Sequence, residues 1–163
     1  MPPRFLRAVA GALAAAAGTS FAWGRVFFPY GPGENPNRLL PMVARKLASG
    51  EVVELTDGKQ VRDQVHVEDV ARGLVTLAGT DAGGAFNLCT GIPVTLRETV
   101  ESLAELVGRP DLLRFGVRPT PAGEPAAMYG DSSRLTALGW KPRYASVKEG
   151  LAASLPSYLS ASS

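Results

Sequence analysis

The 163-residue sequence is poor in the residues that build metal centres and covalent cross-links. It has one cysteine, Cys89, and one histidine, His66. A disulfide framework needs paired cysteines and a structural zinc needs several Cys/His ligands, so one chain assembles neither. A nucleophilic cysteine would want a base beside it, and His66 is the sole imidazole on offer. Cys89 closes the apolar run Ala85-Phe-Asn-Leu-Cys89 and reads as a small core residue. Charge imbalance is also lacking, since 17 Lys+Arg against 15 Asp+Glu leave +2. With no Lys/Arg run and no aromatic–basic interleaving, nucleic acid is excluded as a partner. No apolar run approaches the ~20 residues of a membrane span. Internal repeats and long linkers are absent too, so the chain reads as one domain, large enough to bury a core. The single cysteine suits a reducing, cytoplasmic setting.

What is present centres on Asp57-Gly-Lys-Gln-Val-Arg-Asp-Gln-Val-His-Val-Glu-Asp-Val-Ala-Arg-Gly-Leu74. Asp57-Gly58 is a turn pair. Val61, Asp63, Val65 and Val67 alternate with Arg62, Gln64 and His66, the period of a strand with two unlike faces. Glu68 and Asp69 put negative charge where the first N–H groups of a helix are unpaired. Val70, Leu74, Leu77 and Ala78 then share its inward face. Upstream, Ser20–Phe28 predicts a buried parallel strand that stops at Pro29-Tyr-Gly-Pro-Gly33. Residues 38–47 predict a helix with Pro41 in its first turn and Gly50 past its end, and Val52–Leu55 a short strand. Downstream, Ala85–Cys89 and Leu113–Val117 predict strands. Thr95-Leu-Arg-Glu98 and Ser146-Val-Lys-Glu149 are capping boxes; Asp131 or Ser132 caps a short helix that Gly139 closes, and Pro156 interrupts the last helix.

The N-terminal stretch has two readings. Met1-Pro-Pro-Arg-Phe-Leu-Arg followed by Ala8–Ala17 has the basic start and short apolar run of a secretory signal. Phe5, Val9, Leu13 and Ala16 also fall on one helical face, with Gly18 placed as a C-terminal cap, which predicts an amphipathic core helix.

Few residues promise chemistry. No G-x-G-x-x-G joins a strand to a helix, and the proline in Gly31-Pro-Gly33 rules that stretch out as a pyrophosphate cradle. No G-x-S-x-G elbow occurs. The carboxylates Asp57, Asp63, Glu68 and Asp69 are close in sequence but read as caps and a turn, not a metal or catalytic cluster. Arg62 is the strongest candidate, because a guanidinium clamps a phosphate through two parallel hydrogen bonds; the competing reading is a salt bridge with neighbouring carboxylates. His66 shares its strand face, and Arg118 offers a second cation from a proline-rich loop.

Four segments together resemble the C-terminal half of an extended short-chain dehydrogenase/reductase, the NAD-dependent epimerase/dehydratase family. They are Arg25-Val-Phe-Phe-Pro-Tyr-Gly-Pro32, Gly58-Lys-Gln-Val-Arg-Asp-Gln-Val-His-Val-Glu-Asp-Val-Ala71, Phe86-Asn-Leu-Cys-Thr-Gly91 and Asp131-Ser-Ser-Arg-Leu-Thr-Ala-Leu-Gly-Trp-Lys-Pro142. Order and spacing hold from about residue 4 to residue 151. The resemblance implies an α/β fold, the C-terminal part of a Rossmann-type doubly wound parallel sheet plus a small substrate-binding lobe. Residues 1–33 and 60–92 would be Rossmann-side elements, residues 34–59 and 93–155 the lobe, and residues 156–163 a frayed tail of a single incomplete domain.

The resemblance also implies roles. Arg62 matches the arginine that binds a nucleotide-sugar diphosphate, and Arg118 a second one there. Val26, Phe27 and Pro29 fall where the family packs against the nicotinamide of NAD or NADP. Phe28 stands where the family carries an asparagine that helps hold substrate. Counted back from Arg25, the lysine of the family's catalytic Tyr-x-x-x-Lys falls near Pro3 and its tyrosine before Met1, with the glycine-rich cofactor loop earlier still. The expectation is therefore the substrate-binding part of a nucleotide-sugar epimerase, dehydratase or reductase. It would carry no catalytic residue, bind no cofactor alone and be inactive alone: a truncated product, a miscalled start or half of a split enzyme. The partners this allows are a companion chain carrying the N-terminal Rossmann half, or a second copy in a homodimer. The alternatives are a non-catalytic nucleotide-sugar binder, a degenerate remnant, or a small exported domain.

Overall fold

The computed structural model describes residues 3–160. The last three positions of the expected frayed tail lie outside them. The chain runs α1 (Pro3–Ala16), β1 (Ala22–Val26), β2 (Phe28–Tyr30), α2 (Leu39–Ala48), β3 (Val53–Glu54), β4 (Val61–Arg62), β5 (Gln64–His66), α3 (Val67–Ala78), β6 (Gly84–Leu88), β7 (Val94–Thr95), α4 (Leu96–Val107), β8 (Leu113–Arg114), β9 (Ala127–Met128), α5 (Ser133–Thr136) and α6 (Val147–Ser160). The pairs β1–β6, β2–β5 and β3–β8 are parallel. β4 lies between antiparallel β7 and parallel β9. This is the α/β architecture with parallel pairing that the sequence predicts. Among the described residues no helix is long and apolar enough to cross a membrane.

The apolar run 20–28 does not make one strand. The chain changes partner at Phe27, whose N–H donates to Leu88 O, while the next N–H, of Phe28, donates to Asp63 O. Pro29 does not end the run either; it sits inside β2 opposite Val65. In a parallel ladder alternate N–H groups face the same neighbour, so with Phe28 donating to the β5 side the missing N–H of Pro29 costs no bond there. The Asp57–Leu74 stretch also breaks differently from its period. Asp63 parts β4 from β5, and both faces are largely covered: Arg62, Asp63, Val65 and His66 are buried.

Two buried clusters organise the packing. α2, α4 and α6 enclose Leu40, Val43, Leu47, Val100, Leu103, Leu151 and Tyr158 against β3 and Tyr30. Val65, Val70, Leu77, Phe86 and Leu88 form the second with Leu135 and Trp140. Gly73 sits where α3 crosses β6, and a Cβ there would lie 2.6 Å from a Leu88 methyl. The inward face of α3 is therefore Asp69, Val70, Gly73 and Leu77, whereas Leu74 is exposed.

Three further expectations are corrected. The face Phe5–Val9–Leu13 of α1 is exposed, and the half-buried side is Ala10, Gly11 and Ala14, with Gly11 against the Phe21 ring. Close approach to an aromatic ring selects the small residues of α1, not its large ones. Gly18 does cap the helix, with φ +65° and Thr19 N–H on Ala14 O. The strand at 113 is only Leu113–Arg114, because Gly116 turns away at φ +79° and donates to Thr56 O. Pro156 does not interrupt α6. It lies on the exposed face, while Gly150, Ser154 and Tyr158 make an unbroken buried stripe, and the Tyr158 hydroxyl anchors the last turn on Glu34 at 3.0 Å.

Candidate functional site

Arg62, Phe28 and Pro29 meet at the wall of one cleft of about 230 Å³, lined also by Glu34, Arg38, Gln64 and Glu124. β2 and β5 run side by side and β4 precedes β5, which places these side chains together. Arg62 is buried, with its guanidinium carbon 5.2 Å from the Phe28 ring centre. Nη1 donates to Val61 O and to Pro125 O, at 2.8 and 3.0 Å. Nη2 donates to Glu124 Oε1 at 2.8 Å. A guanidinium has five N–H donors; the Nε–H and one Nη2–H have no partner among the described residues. Nε lies on the same edge of the guanidinium as Nη2, so that edge, shared with Glu124, is where an anion oxygen would be received.

The salt-bridge reading of Arg62 thus holds in form, with a partner the sequence did not suggest. Glu124 is 62 residues away; the neighbours Asp57, Asp63 and Glu68 are occupied elsewhere. Asp57 accepts from Lys59 N–H in its turn. Asp63 is fully buried and ties two loops to the joint between β4 and β5. One oxygen accepts from the N–H and hydroxyl of Thr90, the other from the N–H groups of Gly91 and Gly130. A cap-and-turn reading of Asp63 misses this role, because the donors lie in segments that only the fold brings near.

His66 points away from the cleft. It is the N-cap of α3, its Nδ1 accepting from Glu68 N–H at 3.2 Å. Nε2 therefore carries the proton and donates to Ser154 Oγ at 3.1 Å, and Ser154 donates in turn to Gly150 O. A histidine donating to a serine cannot be activating it, so the pair is structural. Burial lowers the His66 pKa and Arg143 adds to this, against the opposing pull of Glu68 and Asp69. Arg118 is exposed and stands outside the cleft lining; its backbone N–H donates to Leu55 O. Val26 is exposed at the end of β1. The Phe27 ring packs on Gly130, where a Cβ would also lie 2.7 Å from Cys89 Sγ. Cys89 is buried, and burial with the nearby Asp63 carboxylate pushes its thiol up to about 12. No group of three or more His, Cys, Asp or Glu converges among the described residues.

The chain does contain one Tyr-x-x-x-Lys spacing, Tyr144 to Lys148, at the start of α6. The Tyr144 hydroxyl donates to Glu68 at 3.0 Å and Lys148 Nζ pairs with Glu105 at 2.6 Å. Burial and Glu68 raise the phenol pKa, the opposite of what a proton-abstracting tyrosine needs. Nothing in the sequence marked Glu124, Gln60 or Glu34 either; only the proline flanking Glu124, which fixes a loop, was legible.

Parallel β–α pairing with an arginine-walled cleft beside it defines a Rossmann-type α/β protein. The chain belongs to the NAD dependent epimerase/dehydratase family, which it matches over residues 5–89. It is 33% identical over 133 residues to the low-salt glycan biosynthesis protein Agl12 of Haloferax volcanii, covering 80% of this chain and 42% of that protein. In structure it resembles the UDP-glucose 4-epimerase of Thermotoga maritima with UDP-glucose, with a TM-score of 0.83 and 25% identity, covering 93% of this chain and 50% of the other. The Thermus thermophilus UDP-glucose 4-epimerase in complex with NAD gives a TM-score of 0.80 at 25% identity, covering 94% and 51%. The chain thus spans about half or less of the length of the relatives it matches.

Proposed function

We propose that this chain is the substrate-side portion of an NAD(P)-dependent nucleotide-sugar epimerase, dehydratase or reductase, and that Arg62 receives the substrate diphosphate. The observation that carries this is the buried guanidinium of Arg62 at the wall of an open cleft, with its Nε–H without a partner among the described residues. Family membership and the nucleotide sugar held by the Thermotoga relative support the ligand class. Phe28 and Pro29 supply an apolar floor beside that guanidinium, and Arg118 would reach the ligand only if its loop closed.

Calorimetric titration with UDP-glucose and with other nucleoside diphosphate sugars tests the reading. Binding that Arg62→Ala abolishes, with the fold intact by circular dichroism, is the expected result. Binding equal in wild type and variant would sink it.

We further propose that NAD(P) is not held by this chain alone and that it does not turn over alone. Val26 and Phe27 offer contact to a nicotinamide. However, among the described residues no strand passes into a helix through a glycine-rich turn, the device that cradles a pyrophosphate. Gly31–Gly33 leads into a loop and reaches α2 only at Leu39. A companion chain carrying that turn, in the cytoplasm, would complete the site. Mixing with such a chain should restore hydride transfer, followed at the nicotinamide absorbance.

A non-catalytic remnant is the second reading, favoured by the exposed Phe5, Val9 and Leu13 on α1. It predicts no nucleotide-sugar binding at any concentration used for the wild type.

A further inference from the structure

The cleft is formally neutral as it stands. Its two arginines are each met by a glutamate, Arg38 by Glu34 at 3.2 Å and Arg62 by Glu124 at 2.8 Å. These pairs differ in kind. The Arg38 side chain is 59% exposed, so water screens that pair, although Glu34 itself is 9% exposed and fixed by the Tyr158 hydroxyl. The Arg62 side chain is 7% exposed and Glu124 30%, so their interaction is only weakly screened.

Glu124 is also held from its other side. Its second oxygen accepts from Gln60 Nε2 at 3.1 Å. Gln60 is buried, and its Oε1 has no hydrogen-bond partner among the described residues. Gln60 therefore gives its amide N–H to Glu124, and the carboxylate is held on both oxygens. The segment bearing Glu124 has no helix or strand between Arg114 and Ala127. Its start is fastened by Gly116 N–H on Thr56 O and Arg118 N–H on Leu55 O, and its end where Pro125 O accepts from Arg62 and Ala126 O from Val61 N–H, with Glu124 in the irregular stretch between.

We propose that Glu124 is a built-in counter-anion for Arg62, and that an anionic ligand of the cleft binds by displacing it. The proposal rests on the reading of Arg62 as a diphosphate-binding residue. A diphosphate approaching the Nε/Nη2 edge of Arg62 meets the Glu124 carboxylate on the same Nη2, and like charges so placed repel strongly in a partly desolvated site. A ligand with several negative charges overcomes this, whereas a weak monoanion does not. Glu124 thereby holds Arg62 closed to chloride or acetate, and its carboxylate swings off the guanidinium when a diphosphate arrives.

Titration with inorganic pyrophosphate tests this on the full chain. Glu124→Gln keeps the size and one acceptor oxygen but removes the charge. It should bind pyrophosphate about tenfold more tightly than wild type, with Arg62→Ala binding none. Unchanged or weaker binding by Glu124→Gln, with Arg62→Ala still inactive in binding, would overturn the proposal and leave the diphosphate reading of Arg62 standing. Full binding by Arg62→Ala would remove both. If Glu124→Gln shows no cooperative unfolding transition, the wild type decides by nuclear magnetic resonance. Pyrophosphate should then shift the Arg62 Nε–H signal together with the backbone amides of Glu124 and Ala126. A shift at Arg62 with those amides unmoved would overturn it.

Discussion

At the scale of single residues, two buried polar groups govern stability. Asp63 accepts four hydrogen bonds, two on each oxygen. Asparagine would turn one of those oxygens into an NH₂ facing a backbone N–H, and no rotation relieves it. Asp63→Asn should therefore lose roughly 2–4 kcal/mol, read from urea unfolding; a loss within error of zero would mean the loops at 90 and 130 hold without it. His66 acts through its tautomer. In the fold its Nδ1 must stay an acceptor for Glu68 N–H, and burial lowers its pKa. The unfolded chain therefore takes up the proton first as pH falls through about 6.5. Stability contributed at neutral pH is lost from there downward until the folded imidazole itself protonates. His66→Asn keeps an N-cap acceptor that does not titrate. The prediction is a flatter midpoint-against-pH curve for the variant between pH 7.5 and 5; parallel curves would contradict it.

Elements were legible in the sequence where local chemistry fixes them and illegible where distant partners do. The Thr95 capping box forms as read: Glu98 N–H donates to Thr95 Oγ1 at 3.1 Å and Thr95 N–H to Glu98 at 2.8 Å. Thr95→Ala should cost about 1 kcal/mol, measured by thermal unfolding, and Thr95→Ser should restore most of it. Ser146 likewise caps α6, but Glu149 reaches past it to Ala145 N–H. Period alone failed at 61–67, because alternation assumes one open face and here both are met: Val65 packs with Val70 and Leu77 of α3, and His66 meets Ser154 of α6. It failed at Leu74 too, where the close approach of β6 to Gly73 rotated the buried face of α3. The site divided along the same line. Arg62 and Phe28 were readable from a motif, while Glu124 and Gln60 meet them only through β4 pairing with β9. Gly150 shows the force of such contacts. A Cβ there would overlap the Tyr30 hydroxyl, so Gly150→Ala should destabilise by roughly 1–3 kcal/mol, despite the ~1 kcal/mol gain in helix propensity. A stabilised variant would show that α6 can move off β2.

For the whole molecule, the decisive asymmetry lies between a packed half and an open one. α2, α4 and α6 close one core on three sides, and Val43, Leu47, Leu103 and Leu151 have no solvent access. Around β1 the reverse holds. Among the described residues this strand pairs with β6 alone, and Leu13 is 67% exposed on the helix before it. Grooves lined by Phe21, Trp23 and Gly84 on one side of the strand and by Leu74 and Gly24 on the other remain open. Exposed apolar patches beside an unpaired strand edge mark a surface made for contact or prone to self-association. The two outcomes separate experimentally. Val9→Lys with Leu13→Lys adds charge to α1 without touching either buried core. If the face is merely uncovered, the double variant should bind less anilinonaphthalene sulfonate and aggregate more slowly, with pyrophosphate affinity unchanged. If a companion chain uses the face, the same variant should also fail to recover hydride transfer on mixing. Recovery equal to wild type would place any such partner elsewhere, and would leave the Arg62 cleft to be completed from another side.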